Sequence, residues 1–283
     1  MAERVGVVGG GIMGSGIAEV VARSGCDVVV REVDAAAGEV TRRRIERSLD
    51  KAVRTAKLPP PERDDALSRL SYVSDLAALA DCDLVIEAIV EDEAEKIAVF
   101  RALGPITLAR GSLLASNTSS IPIMKLAAVT LEPERVIGMH FFNPVPVLPL
   151  VELIPSLATS ADTLERARAF AGDRLGKHTV IARDRAGFVV NALLIPYLLA
   201  AIRMVETGIA TAQDVDVAMV SGCAHPMGPL ALADLIGLDT TAAVANSMYA
   251  EYKEPLYAPP PLLLRMVEGG RLGRKSGQGF YAY

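Results

Sequence analysis

The chain has 283 residues, 51% of them apolar and 22% charged, which is the composition of a folded protein of one large or two ordinary domains and excludes a disordered chain. A net charge of −5 repels polyanions and argues against nucleic-acid binding, although local lysine and arginine clusters remain for a phosphorylated small molecule. Cys26, Cys82 and Cys223 are odd in number, far apart and outside any C-x-x-C pair, so they read as reduced, packed thiols of a cytoplasmic protein with no metal site.

The opening residues lead at once into an apolar run at 4–8, with no charge pattern of a secretory leader before it. Three glycines follow, then helical spacing over 12–23 closed by Gly25, then a β-branched strand at 27–31. Together these predict a β-α-β unit. Residues 35–57 are charged, but Ile45, Leu49 and Val53 recur four apart, which predicts an amphipathic helix ended by Pro59, Pro60 and Pro61. A second helix is predicted over 62–69. Strands are predicted at 72–73, 84–88, 113–116 and 136–140, separated by helical segments, and that alternation predicts a parallel sheet covered on both faces.

Beyond His140 the pattern changes. Strands are predicted at 151–154 and 179–182 with a helix over 161–175 between them. From Gly187 onward there are only helices, predicted at 188–207, 211–220, 229–236, 239–252 and 261–268. The stretch 188–202 is the most apolar, but it is too short to span a bilayer and reads as a buried helix at a subunit contact. The organisation predicted is an α/β domain over 1–184 followed by an all-helical domain over 185–283.

Gly9, Gly11 and Gly14 form G-x-G-x-x-G between a strand and a helix, with Ile12 and Met13 inside the motif. In that context the first glycine permits a tight turn, the second lets backbone approach a pyrophosphate, and the third lets helix pack on strand. The motif predicts a Rossmann-like dinucleotide-binding domain. Glu32, 23 positions after Gly9, closes the second strand as the acidic residue that holds ribose hydroxyls. A carboxylate there favours NAD over NADP, whereas the neighbouring Arg31 could pair with a 2′-phosphate and keeps NADP open.

His140, His178 and His225 are the only histidines. His140 ends a predicted parallel strand, where open α/β sheets bind ligands, and its imidazole suits proton transfer near neutral pH. Glu152 lies twelve residues on, past the turn-rich N-P-V-P-V-L-P segment. A hairpin there would bring it to His140 as an orienting carboxylate; otherwise it is a solvated strand residue. His178 and His225 read as satisfied polar groups. Asn117 to Ser120 follow a strand, so they either bond a substrate oxygen or cap the helix beginning at Pro122. Asn191 is an amide in a very apolar helix, and a buried amide needs partners.

The strings S-N-T-S-S at 116–120, H-F-F-N-P-V-P at 140–146, V-E-L-I at 151–154, G-F-V-V-N at 187–191, P-M-G-P at 226–229 and G-Q-G-F-Y at 277–281 resemble the L-3-hydroxyacyl-CoA dehydrogenase family over the whole chain. The resemblance is strongest to its short bacterial members, the 3-hydroxybutyryl-CoA dehydrogenases. It implies His140 and Glu152 as the catalytic pair, with Ser119 and Asn191 as substrate contacts. It also implies cofactor contacts at Glu91, Lys96, Ser119, Asn143 and Lys275, with Asn143 also facing substrate, and a homodimer through the helical domain. The implied reaction is hydride transfer between the C3 hydroxyl of a short (S)-3-hydroxyacyl-CoA and NAD, in fatty acid breakdown or a related pathway.

The sequence departs from the family in two places. Glu32 stands where an Asp is usual. Of the Ser and Lys that contact CoA seven residues apart, Ser48 is present but Thr55 replaces the Lys, with Lys51, Arg54 and Lys57 nearby. An acyl carrier protein could therefore replace CoA as the thioester carrier. The pattern is also compatible with a free hydroxy-acid dehydrogenase of the L-gulonate type and with a non-catalytic NAD-binding protein.

Overall fold

A computed structural model describes residues 4–283. The opening residues 1–3, read as leading straight into the first strand, lie outside the described residues. The chain divides into two compact units, Met1–Asp184 and Arg185–Tyr283.

In the first unit β1 (Arg4–Val8) and β2 (Asp27–Arg31) are valine-rich, and all but their end residues are buried. Such runs form strands because branched side chains pack well on a pleated surface that is covered on both faces. With β3 (Leu70–Val73), β4 (Leu84–Glu87), β5 (Leu113–Ser116), β6 (Val136–Phe141), β7 (Leu150–Pro155) and β8 (His178–Ile181) they make one sheet, ordered β3-β2-β1-β4-β5-β6-β7-β8. Strands β1 to β6 run parallel, β7 runs antiparallel to β6, and β8 is parallel to β7. The chain leaves β1 toward β2 and returns to pair β4 on the other side. That reversal opens a crevice at the carboxyl ends of β1 and β4.

Helix α1 (Ile12–Arg23) follows the glycine turn, and α2 (Ala35–Arg54) starts on the Asp34 carboxylate, which accepts from Ala37 N at 2.7 Å. Helix α2 buries Ile45 and Leu49 and ends earlier than the predicted 57, because Ala56 turns to a φ of +55°. Helix α3 (Pro60–Ser68) begins two residues before the predicted 62. A proline fits its first position, where an N–H would have no partner. Helices α4 (Glu93–Thr107) and α5 (Ile123–Ala127) follow β4 and β5. Helix α6 (Ala161–Ala169) is shorter than the predicted 161–175, because the chain widens over Phe170–Arg174 into i→i+5 bonding, with Leu175 N donating to Phe170 O at 3.0 Å.

The second unit is helical: α7 (Val190–Glu206), α8 (Ala212–Cys223), α9 (Pro229–Ile236), α10 (Leu238–Tyr252) and α11 (Pro261–Glu268). Its core contains Ile195, Leu198, Leu199, Ile202, Leu230 and Met248. Two buried carboxylates staple it. Asp216 accepts from Leu230 N at 2.8 Å and Tyr281 Oη at 2.8 Å, and Asp234 accepts from Phe280 N and Tyr281 N at 3.0 Å each. The final G-Q-G-F-Y segment must come that close, since a Cβ on Gly279 would stand 2.0 Å from Asp234 Oδ1. Of the stretch 188–202, α7 buries Ile195, Leu198, Leu199, Ala201 and Ile202 within this unit, while Leu193 is 73% exposed. Among the described residues no helix is long and apolar enough to cross a membrane.

Candidate active site

The antiparallel return of β7 places Glu152 directly opposite His140 in the strand register. Their side chains meet: His140 Nδ1 lies 2.8 Å from Glu152 Oε2, and both residues are buried. An ionised carboxylate only accepts, so Nδ1 donates to it, and in the neutral ring that tautomer leaves the lone pair on Nε2. On that second nitrogen sits Ser119 Oγ, at 3.1 Å. The Phe142 ring packs against the imidazole, with ring centres 4.6 Å apart. Of the two readings of Glu152, the solvated one is excluded by its burial.

Ser119 is held by the loop after β4. Glu91 Oε1 accepts from Ser119 N at 2.9 Å and from Thr118 Oγ1 at 2.6 Å. Asn117 Oδ1 accepts from Phe141 N at 2.8 Å, which ties the loop after β5 to the end of β6. The cap expected from N-T-S-S on the next helix lies elsewhere. Helix α5 is capped by Asp184, whose carboxylate accepts from Ile123 N at 2.7 Å and Met124 N at 2.8 Å.

Beneath that loop is a buried charge network. Lys96 Nζ donates to Glu87 Oε1 at 2.5 Å and lies 3.4 Å from Glu91 Oε2, and Lys96 is only 1% exposed. Glu87 also accepts from Ile89 N at 2.7 Å and Ser116 Oγ at 2.6 Å. Glu87 escapes a reading of the sequence alone. Its signal is an acid closing the otherwise apolar run L-V-I-E, where a fully buried charge must be paired.

The glycine turn suits a dinucleotide. Gly9 has a φ of +93°, and a Cβ on Gly14 would stand 1.8 Å from Gly9 O, so helix and turn approach as closely as glycine allows. A Cβ on Gly11 would meet nothing within 4 Å, which leaves the outer face of the turn open beside the first turn of α1. Ile12 is exposed there and Met13 half-buried. Glu32 follows β2 and faces this turn, accepting from Gly10 N at 2.7 Å. Arg31 is tied to Ser74 O through its Nε at 3.0 Å.

The remaining expected residues are more dispersed. Asn143 is exposed after β6, at the cis Asn143–Pro144 bond. Ser48 lies beside Glu19 of α1. Asn191 and Lys275 belong to the second unit. Asn191 is half-buried in the first turn of α7, which corrects the reading of it as a buried amide, and Lys275 pairs with Asp239 at 2.6 Å. Of the other histidines, His225 Nδ1 lies 3.0 Å from Tyr197 Oη and His178 is exposed at the start of β8. Among the described residues no cluster of three or more His, Cys, Asp or Glu is placed to hold a metal ion.

Glu19 gives a pH-dependent stability. Burial holds its carboxyl above the ordinary value of 4.5, with Ser48 and Arg23 opposing the shift. The folded chain then keeps a proton that the unfolded chain releases, so this contribution is fully present below the unfolded value and is lost as pH rises through the folded one. Glu19→Gln is expected to match the parent's urea midpoint at about pH 4 and to exceed it at about pH 7.

The comparisons with known proteins agree with this architecture. Residues 4–185 match the family model described as the NAD binding domain of 3-hydroxyacyl-CoA dehydrogenase, and residues 187–283 match that of its C-terminal domain. A 3-hydroxybutyryl-CoA dehydrogenase of Mycobacterium tuberculosis is 58% identical over 281 residues, covering 99% of this chain and 98% of the relative. The crystal structure of FadB2 from the same organism superposes with a TM-score of 0.98 at 58% identity, covering 100% of this chain and 99% of that one. The (S)-3-hydroxybutyryl-CoA dehydrogenase PaaH1 of Ralstonia eutropha superposes with a TM-score of 0.94 at 42% identity, with the same coverage. The open glycine turn, the imidazole at the carboxyl edge of the sheet and matches along both units lead to one conclusion: the chain belongs to the 3-hydroxyacyl-CoA dehydrogenase family and is an oxidoreductase with NAD as its cofactor.

Proposed function

We propose that the chain interconverts a short (S)-3-hydroxyacyl-CoA, of the 3-hydroxybutyryl-CoA kind, and the corresponding 3-ketoacyl-CoA. The observation that carries this reading is the Ser119–His140–Glu152 series, with distances of 3.1 and 2.8 Å, in which the imidazole and carboxylate are buried and Ser119 is half-buried. NAD, when bound, accepts the hydride from C3 or returns it. His140 Nε2 takes the proton of the C3 hydroxyl as the C–H electron pair leaves, so the alcohol becomes a ketone and the imidazole an imidazolium. The Glu152 carboxylate stabilises that cation and fixes the ring's orientation. Ser119 Oγ, on the same nitrogen, orients the substrate oxygen, and Asn191 and Asn143 contact the acyl part. On the cofactor side, the glycines Gly9, Gly11 and Gly14 with Ile12 and Met13 take the pyrophosphate, Glu32 the adenosine ribose, and Glu91 and Lys275 the nicotinamide end, with the buried Lys96 acting through Glu91 from beneath the loop.

The carrier is CoA rather than a carrier protein. Thr55 is a neutral hydroxyl that offers no cation, and it donates to its own helix at Lys51 O, 2.9 Å away. Lys51 does offer one, exposed on α2 one turn after Ser48 and on the same face. Lys51→Ala is expected to raise KM for the CoA ester by about ten-fold with kcat unchanged, the signature of a lost charge-assisted phosphate contact that is equal in ground and transition states. Initial rates across substrate concentration check it.

The protein acts as a cytoplasmic homodimer through its helical unit, in fatty acid oxidation or a related short-chain acyl pathway. The deciding assay follows NADH absorbance with acetoacetyl-CoA, beside free acetoacetate and an acetoacetyl carrier protein. Turnover confined to the CoA ester supports the proposal. Preference for the carrier protein or the free acid would replace the substrate, and a flat trace with all three would favour a non-catalytic NAD-binding protein.

A further inference from the structure

Gly10, the residue between the first two glycines of the turn, is gripped from two elements. Its N–H donates to Glu32 Oε1 at 2.7 Å, and its carbonyl accepts from Thr41 Oγ1 at 3.1 Å and Arg44 Nη1 at 2.6 Å. Thr41 Oγ1 also reaches Glu32 Oε1, at 2.8 Å. The fit leaves no space for a side chain: a Cβ on Gly10 would stand 2.2 Å from Thr41 Oγ1 and 2.6 Å from Glu32 Oε1. Thr41 is 1% exposed, on the face of α2 that packs inward.

One oxygen of Glu32 is therefore consumed inside the turn by two donors. Only Oε2 is left to meet a ribose diol, and its direction is fixed by the hydroxyl of Thr41. A hydroxyl has a single proton, and it bonds more strongly to a carboxylate than to a peptide carbonyl. With Thr41 in place, the negative charge is anchored where a 2′-phosphate would have to sit. Without it, Glu32 pivots on the single bond from Gly10 N, and the guanidinium of Arg44, bonded to the other end of the same residue, is left to attract that phosphate.

We propose that Thr41 is a positioning residue that sets the preference for NAD over NADP by locking Glu32 against Gly10. This rests on the reading of Glu32 as the ribose-binding acid. The preference is a difference between two affinities, so both must be measured.

The test is calorimetric titration of the whole protein with NADH and with NADPH, without acyl substrate. Thr41→Val keeps the shape and removes the hydroxyl. It is expected to lower the ratio of Kd for NADPH to Kd for NADH by about ten-fold, the weight of one charge-assisted hydrogen bond. Thr41→Ser, which keeps the hydroxyl, is expected to retain the parent ratio, a rescue that a merely structural role for the threonine methyl would not give. Thr41→Ala carries the same expectation as Thr41→Val should the valine unfold the turn. Glu32→Ala separates the two levels of the argument. If Glu32→Ala collapses the ratio while Thr41→Val and Thr41→Ala leave it unchanged, the positioning role is overturned and the ribose reading stands. If Glu32→Ala leaves the ratio unchanged, the ribose reading fails and the proposal falls with it.

Discussion

His140→Gln is expected to lower kcat for acetoacetyl-CoA reduction by about two to four orders of magnitude, the usual range for loss of a general acid–base, while NADH affinity is unchanged. Glutamine keeps a polar head of similar reach, and its amide can still donate to the buried Glu152, so the carboxylate is not stranded. What it cannot do is exchange a proton near neutral pH. The ring also lies away from the glycine turn, on β6 rather than β1. NADH absorbance gives kcat, and calorimetry gives the cofactor Kd. Parent-like turnover would remove His140 from the chemistry, and lost NADH binding would reassign it to the cofactor site.

The second large effect concerns stability. Lys96→Met is expected to cost about 3–5 kcal/mol in urea unfolding, because it leaves Glu87 as a buried carboxylate without its cation. Glu87 keeps bonds from Ile89 N and Ser116 Oγ, but two neutral donors do not replace a charge held at 2.5 Å. The double variant Lys96→Met with Glu87→Gln is expected to recover a large part of that loss, since a matched neutral pair avoids the stranded charge. A double-mutant cycle of denaturation midpoints checks both. A single variant as stable as the parent would mean that Glu87 takes up a proton at little cost.

The sheet is legible in the sequence because its strands are short apolar runs that alternate with helical segments, and because G-x-G-x-x-G ties a strand to a helix at a known spacing. The hairpin is legible as one of two readings, since N-P-V-P-V-L-P is rich in turn residues but its spacing alone leaves Glu152 either beside His140 or in solvent. Lys96 is not legible as a buried residue. In E-A-E-K-I it has the look of a solvated helical face, and only the fold shows that Glu87, nine residues earlier, waits beneath it. The grip of Thr41 on Gly10 spans 31 positions and is invisible for the same reason. Helix ends mislead where no proline or glycine marks them: nothing in R-T-A-K announces that Ala56 will take a positive φ. Asn191 misleads because an apolar sequence suggests burial, whereas α7 is buried along one side and begins half-exposed.

The facing of His140 and Glu152 depends on the antiparallel register of β6 and β7, which sets His140 opposite Glu152 and Phe141 opposite Val151. Alternate side chains of a strand point to opposite faces, so pairing behaves as a reading frame of period two. A slip of one residue in that pairing would throw Glu152 out of frame, to the far side of the sheet, and bring an aliphatic neighbour, Val151 or Leu153, toward the imidazole. A slip of two residues would keep the face but set Leu150 or Ile154 opposite the histidine. The frame of that pairing thus decides whether the histidine meets a carboxylate or a hydrocarbon.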